Sequence, residues 1–311
     1  MAAIIYQYLP LSTFHTSIKN KTIRLCDITK SNDYLEKKVY RESLKPAIDE
    51  AFKMLQLPLT ADTETATGYT FFECMEEEFN AYLSHVTFVS CFSRNGDLLS
   101  QWRGYANDAE GMAIGYDRFV LARCLRDDQR FRITDIEYKN RSQIELLAGV
   151  IFDYISAIER DYNIESKEKL AWYLIDEFED VLEDMDRDIV PSVCSMKNPA
   201  FSEETETRIV FDPNFGYVFE EDGIEQKYTK ICGCARLKMS PVGYFVRNGN
   251  LIPYIDINYE KAINSGIIKR ITIGPKAKVT TNELKSYLYF NGFNAEAIEK
   301  INIETSSLSY R

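Results

Sequence analysis

Two stretches of the chain gather side chains that can do chemistry. One is Lys197 to Val210, KNPAFSEETETRIV. If Glu204 to Arg208 is extended, Glu204, Glu206 and Arg208 point to one side, because side chains alternate along a strand. Two carboxylates and a guanidinium on one face suit glycosyl chemistry. One carboxylate can hold a sugar hydroxyl and stabilise positive charge developing at an anomeric carbon, while the other takes a proton from the attacking group. The same pattern equally suits a charged edge strand that resists unwanted pairing.

The other stretch is Ser90 to Tyr116, SCFSRNGDLLSQWRGYANDAEGMAIGY. It reads as strand, polar turn, short helix, glycine turn, strand. Ser93, Arg94, Asp97, Ser100, Gln101, Arg103 and Tyr105 are more polar groups than a plain core hairpin needs. Asn95-Gly96 is a turn dipeptide, and Asp97 is expected to cap the helical turn that follows. Trp102 stands three and four residues after Leu99 and Leu98, the spacing of one buried helix face. Arg103 and Tyr105 then sit near the helix end, able to reach a pocket. A purely structural alternative puts Trp102 in the core with Arg103 stacked on an aromatic ring.

These stretches need a scaffold, and the remaining sequence supplies one. Short strands are expected at Ala3–Leu9 and Thr22–Cys26, with Tyr6 and Tyr8 on one face of the first and Gln7 on the other. Ser12 is expected to cap a helix through Ile18. Helices follow at about Val39–Met54 and Phe71–Ser84. Phe131–Tyr138 is a strand. Gln143–Arg160 and Lys167–Asp186 carry apolar residues at three- and four-residue spacing, which predicts a helical hairpin. Strands then dominate: Thr207–Phe211, Tyr217–Phe219, Lys227–Ile231, Val242–Arg247, Leu251–Ile257 and Ile268–Ile273, the last stopped by Gly274-Pro275. Thr281 or Asn282 is expected to cap a helix over Glu283–Phe290, with Ala295–Ile303 closing the fold. The expectation is an α+β protein with a mixed, largely antiparallel central sheet and flanking helices. It is read as one domain over 1–311 with a helical insertion at 140–190.

Composition narrows the function classes. A net charge of −11 argues against coating nucleic acid by bulk charge. No apolar run is long enough to span a bilayer, so no membrane partner is expected. The first ten residues, MAAIIYQYLP, lack a basic region before their apolar residues, which leads to the expectation of a cytoplasmic protein. The two histidines, His15 and His85, are too few for a histidine-rich metal site or a Ser-His-Asp triad, and no metal is expected. Cys232-Gly-Cys234 does not have zinc-knuckle spacing. The chain has no phosphate-binding glycine loop, no H-E-x-x-H and no G-x-S-x-G.

Together the motifs resemble a bacterial domain-of-unknown-function family, number 2971. That family opens on a Tyr-x-Tyr or His-Tyr-Thr strand, here Tyr6-Gln7-Tyr8, followed by an Asn-Asp-x-x-Glu loop, here Asn32 to Glu36. Its hallmark matches Cys91-Phe92-Ser93, Asp97, Leu99-Ser100-Gln101-Trp102-Arg103-Gly104-Tyr105 and Gly111 to Tyr116. Lys197 and Phe201 to Arg208 match its Phe-x-x-Glu-x-Glu-x-Arg motif. Ile273-Gly274-Pro275 and Ser306 to Arg311 match its ending, with Ser309 in place of the usual Pro.

The family's layout is similar to that of NAD-dependent ADP-ribosyltransferases. Those enzymes place a His or Arg on an early strand, a Ser or Tyr on a middle strand and a Glu, often as Glu-x-Glu, on a late one. The resemblance implies that Glu206 is catalytic with Glu204 as its partner. Ser93 or Tyr105 would take the middle role, and Arg103 and Arg208 would lie near the phosphates. Tyr6, Tyr8 and Trp102 would complete the NAD-binding surface, with Tyr8 or Tyr105 stacked on the leaving nicotinamide. Gln7 stands where a His is expected; its amide can donate to a ribose hydroxyl. NAD would be a substrate and a protein or nucleic acid the acceptor. The family's presence in antiphage defence neighbourhoods implies a toxin-like role with an antitoxin partner. Two alternatives stand beside this: a non-catalytic ligand-binding or sensor protein, and an NAD or nucleotide glycohydrolase that releases product to water.

Overall fold

The computed structural model describes residues 4–30, 39–126, 128, 130–183, 186–213, 237–247 and 249–310. The Asn32–Glu36 loop, the expected strands at Tyr217–Phe219 and Lys227–Ile231, Cys232-Gly-Cys234 and Arg311 lie outside the described residues.

In chain order the elements are β1 (Ile4–Leu9), α1 (Leu11–Asn20), β2 (Thr22–Asp27), α2 (Arg41–Met54), α3 (Phe71–Ser84), β3 (Phe88–Ser93), α4 (Leu99–Tyr105) and β4 (Met112–Asp117). Next come α5 (Arg118–Leu125), β5 (Phe131–Asp135), α6 (Asn140–Asp161), α7 (Lys167–Glu183), α8 (Asp186–Val193) and β6 (Glu206–Phe211). The chain continues through β7 (Lys238–Met239), β8 (Gly243–Arg247), β9 (Asn250–Asn258), β10 (Ile268–Ile273), α9 (Thr281–Phe290), α10 (Ala295–Glu299) and β11 (Asn302–Thr305). The fold is α+β, as the sequence predicts.

Two compact units divide these elements. The first takes residues 1–27, 88–135 and 203–311; the second takes 28–87 and 136–202. The second is helical. Its core comes from Leu44, Ile48 and Phe52 of α2, Phe71, Met75 and Phe79 of α3, Leu147, Ile151 and Ile155 of α6, and Leu170, Leu174 and Phe178 of α7. These recur every three or four residues, which puts them on one stripe of each helix. The segment read as an insertion, 140–190, thus shares its core with α2 and α3.

The first unit is built on one sheet. Its strands run β11-β10-β4-β1-β3-β2-β9-β7, with β6 on β3, β5 on β6 and β8 on β9. Among the described strands of this sheet, β10 and β11 pair in parallel and the other pairs are antiparallel. One face is apolar. Ile5 and Leu9 of β1, Phe88 and Phe92 of β3, and Ile209 and Phe211 of β6 pack there with Phe14 and Ile18 of α1, Leu121 of α5 and Leu284 of α9. The opposite face carries a small second cluster of Tyr6, Tyr8, Trp102, Ala106, Ala109 and Ala113.

The sheet forks at β3. One edge of β3 is occupied throughout by β6. The other edge is shared: β2 pairs at Val89 and Phe88, and β1 pairs only at Ser93. Beyond those contacts β1 follows β4 and β2 follows β9, so the two strands part, and α1 connects them.

Several ends differ from expectation. Helix α1 starts at Leu11 after Pro10 with no side-chain cap, so Ser12 is not its cap. Proline suits this place because the first helical N–H groups lack partners in any case. Helix α9 is capped by Thr280, whose hydroxyl and Glu283 form a reciprocal capping box; the expectation of Thr281 or Asn282 was late by one or two residues. The terminal segment holds a strand, β11, beside β10.

Candidate functional site

Three neighbouring strands of the first unit set a row of side chains across the sheet. Tyr6 of β1 is opposite Ser93 of β3, and Ser93 is opposite Glu206 of β6. Residues directly opposite share a face, so Tyr6, Ser93 and Glu206 lie on the face away from the apolar core. Tyr8 and Arg208 share it by alternation. Gln7 does not. It falls between Ile5 and Leu9 on the core side, where its Nε2 donates to Ser90 Oγ at 3.0 Å. The expected grouping of Gln7 with Tyr6 and Tyr8 around one ligand is therefore corrected: a strand cannot present consecutive side chains to one face.

The extended reading of Glu204 to Arg208 is also corrected. Residues 199–204 form a short 3-10 turn, and Thr205 takes a left-handed backbone with φ of 44°. Such a residue ends strand alternation. Strand β6 begins at Glu206, so only Glu206 and Arg208 alternate as expected. Arg208 donates to Glu206 through Nε at 2.6 Å and through a terminal nitrogen at 3.2 Å. Both residues are buried, at 0% and 3% exposure. Each charge needs the other, because an uncompensated charge at such a place is costly.

Glu204 stands differently. It is half-buried, and Tyr105 Oη donates to its Oε1 at 3.0 Å. Its backbone oxygen accepts from Ser93 Oγ at 2.9 Å. Arg94 donates to the Thr205 oxygen through both its backbone N–H and its Nε, at 3.0 and 3.2 Å. The turn carrying Glu204 is thus fixed to the end of β3 by three bonds.

Helix α4 delivers Tyr105. Its anchor is Trp102, fully buried and edge-on to Tyr8 with 4.7 Å between ring centroids. Tyr8 is itself tied to the turn after β3, donating to the Asn95 oxygen at 2.8 Å and accepting from Leu98 N–H at 3.0 Å. Burial pushes the Tyr8 hydroxyl pKa well up. Gly96 lets this turn lie on the Tyr6 ring, because a Cβ there would come within 2.4 Å of it. Gly274 is needed on the other side, where a Cβ would meet the Ala109 oxygen at 2.5 Å.

Asp97 is not the helix cap the sequence suggests; α4 has no side-chain cap. Its carboxylate is instead a joint. It accepts from Trp102 Nε1 at 2.8 Å, Ser306 Oγ at 2.6 Å, Ser307 N–H at 2.8 Å and Ser307 Oγ at 2.9 Å. Burial would raise its pKa, but these donors outweigh burial and hold it below the usual carboxylate value. The C-terminal segment is thereby fixed against α4. Further along, Tyr310 Oη donates to Asp108 Oδ1 at 2.7 Å, and Lys276 Nζ donates to Oδ2 at 2.6 Å. Lys276 Nζ lies 4.1 Å from the Tyr310 ring centroid and the Arg103 guanidinium 5.9 Å. Arg103 is exposed.

Sequence reading missed Asp108. It belongs to three consecutive left-handed residues, Asn107, Asp108 and Ala109, with φ of 50°, 51° and 74°. Asn and Asp tolerate that region, so the Asn107-Asp108 pair was a signal; Ala109 was not. Ala109 is held by its N–H to the Trp102 oxygen and by Lys276 N–H to its own oxygen, both at 3.0 Å. Lys197 and Phe201, from the same sequence motif, lie in the second unit, with Lys197 Nζ 5.0 Å from the Phe201 ring centroid.

The molecule is thus an α+β protein whose forked sheet presents a tyrosine, serine and carboxylate row braced by a buried tryptophan helix. Residues 101–209, about a third of the chain, match the model of the family described as Protein of unknown function (DUF2971). That stretch contains Trp102, Arg103, Tyr105, Glu204, Glu206 and Arg208; Tyr6–Tyr8 and the C-terminal segment lie outside it. No curated protein and no solved structure matches the chain. Among the described residues, no helix is long and apolar enough to cross a membrane.

Proposed function

We propose that the chain is an ADP-ribosyltransferase-like enzyme that cleaves NAD and passes ADP-ribose to a macromolecular acceptor. The observation that carries this reading is the row Tyr6–Ser93–Glu206 across an early, a middle and a late strand, ending at Glu204 with Tyr105 bonded to it. In the reaction, the bond between nicotinamide nitrogen and ribose C1′ breaks, and its electron pair leaves with nicotinamide. The ribose carries the positive charge until an acceptor nucleophile bonds to C1′ and loses its proton.

The two carboxylates divide the work by burial. Glu204 reaches solvent, so it is the carboxylate that faces the developing cation and takes the acceptor's proton. Tyr105 holds it in place. Glu206, closed onto Arg208, positions the turn that carries Glu204. This exchanges the roles that the resemblance implies. Arg103 is the exposed guanidinium suited to a diphosphate. A defence effector of this kind would slow growth when expressed, and an antitoxin partner would relieve it.

The test is adenine-labelled NAD incubated with purified protein and a lysate split into protein, RNA and DNA. Label in one fraction, lost in Glu204→Gln, supports the transferase and identifies the acceptor class. Nicotinamide release without transfer points to a glycohydrolase. One observation favours a second reading, a non-catalytic binding protein: the most buried carboxylate of the row is fully engaged by Arg208. That reading gains if NAD or another nucleotide binds and is recovered unchanged.

A further inference from the structure

The fork in the sheet holds a cleft that the proposed reaction does not use. It has a volume of about 210 Å³ and is lined by Gln7 and Leu9 of β1, Ser12, Thr13, Thr16 and Ser17 of α1, Thr22 and Arg24 of β2, and Asp256 of β9. Gln7 and Leu9 line it from the core side of β1, whereas Arg24 and Asp256 alternate with the core residues Ile23, Leu25, Ile255 and Ile257 and line it from the other face of β2 and β9. The fork explains why space exists there. Between Val89 and Ser93 one edge of β3 has no ladder pairing with β1 or β2 among the described residues, the Gln7–Ser90 side-chain bond reaches across, and α1 connects the parted strands with its hydroxyl-bearing side.

The lining has a definite chemistry. Arg24 and Asp256 are paired at two points, Nε to Oδ1 at 2.8 Å and a terminal nitrogen to Oδ2 at 2.9 Å. The guanidinium also lies 3.6 Å from the Tyr254 ring centroid, which holds its plane. The two charges cancel, so an anionic ligand would meet Asp256 and a cationic one Arg24. What remains is neutral: the Gln7 amide and a set of hydroxyls. Gln7 gives its Nε2 to Ser90, which leaves the amide oxygen to accept. Ser17 Oγ is spent on the Thr22 oxygen at 2.6 Å and Thr16 Oγ1 on the Ser12 oxygen at 3.1 Å, yet each hydroxyl keeps accepting capacity.

We propose that this cleft binds a neutral polyhydroxylated molecule of monosaccharide size. Alternating donors and acceptors on a rigid ring match a wall of hydroxyls and one amide. Leu9 supplies the apolar patch on which the C–H face of a sugar can rest. The volume is below that of pockets for larger ligands, which argues against a whole dinucleotide. The inference rests on the fork alone and stands whether or not the chain cleaves NAD.

The test is a titration of the full chain, labelled with ¹⁵N, against D-ribose, D-glucose and ribose 5-phosphate, with glycerol as a control for general polyol effects. The expected result is saturable movement of the Ser12, Thr13, Thr16 and Thr22 amide signals by ribose or glucose and not by glycerol. Thr16→Val and Gln7→Leu should each weaken binding about three- to tenfold, the worth of one hydrogen bond. Thr16 is exposed, so its variant keeps the fold even if Gln7→Leu does not. No saturable shift with either sugar overturns the proposal, as does binding that Thr16→Val leaves unchanged. Ribose 5-phosphate binding about tenfold tighter than ribose would overturn the neutral class.

Discussion

Two glutamates two residues apart in one motif sit in opposite surroundings. Glu206 begins a strand, is sealed from water and shares both oxygens with Arg208. Glu204 ends a 3-10 turn, reaches solvent and holds one tyrosine hydroxyl. Thr205, in its left-handed conformation, separates the two regimes. The lesson is that one residue of backbone decides whether a carboxylate is sealed inside the fold or stays half-buried at its edge. A buried ion pair of this kind contributes little net stability, yet breaking it is expensive. A half-exposed hydrogen bond costs little to break, because water can replace the lost partner.

This contrast can be broken experimentally, beginning where the effect is largest. Arg208→Ala leaves the Glu206 carboxylate buried without its partner and should cost about 3–5 kcal/mol, read as a fall in the chemical denaturation midpoint. The double variant Glu206→Leu with Arg208→Met should recover most of that loss, because it removes both charges together. Recovery by the double variant would separate desolvation from packing.

Asp97→Asn comes next. Asparagine places a donor where Ser307 N–H also donates, so a cost of about 1–3 kcal/mol is expected near neutral pH. The pH dependence carries a sign. Asp97 has a lowered pKa in the folded chain, so its contribution is complete above the ordinary carboxylate value of 3.8. It fades as pH falls through the lower folded value. The difference between wild type and Asp97→Asn should therefore shrink below about pH 4, as followed by thermal melts across pH. A difference that grows on acidification would contradict the assignment of Asp97 as a charged joint.

Tyr105→Phe should be the mildest, about 0.5–1 kcal/mol, since the Glu204 carboxylate can turn to water. A double-mutant cycle between Tyr105→Phe and Glu204→Gln should give a coupling energy of that size. A coupling above about 2 kcal/mol would place Glu204 in the same closed regime as Glu206.

Much of the scaffold was legible in the sequence because it follows periodicity. Phe71–Ser84 and Ile268–Ile273 were found at their true bounds, since an apolar stripe or alternation marks both ends. For Trp102 the sequence left a buried position and a ligand-binding one both open; it is fully buried, which corrects its expected place on an NAD-binding surface, and Leu99, expected on the same buried face, is exposed. The row Tyr6–Ser93–Glu206 was legible only in part, because strand pairing brings together residues far apart in sequence, Tyr6 with Ser93 and Ser93 with Glu206, and no local pattern encodes that register. The turn at Thr205 was missed because threonine is a good strand former. Its left-handed backbone goes with long-range bonds from Arg94 and Ser93 to the turn that no local pattern announces. Asp97 misled for a related reason. Its local offer, a helix cap, lost to four donors, three of them on Ser306 and Ser307, more than two hundred positions away.

The most direct measurement is nicotinamide release by Glu204→Gln and Glu206→Gln beside wild type, each at a temperature well below its own melting point. The expected result is that Glu204→Gln keeps wild-type stability and loses turnover by about a hundredfold or more. Glu206→Gln should lose stability first and keep turnover in the fraction that remains folded. Turnover unaffected by Glu204→Gln but abolished in folded Glu206→Gln would contradict the division of roles between the two carboxylates.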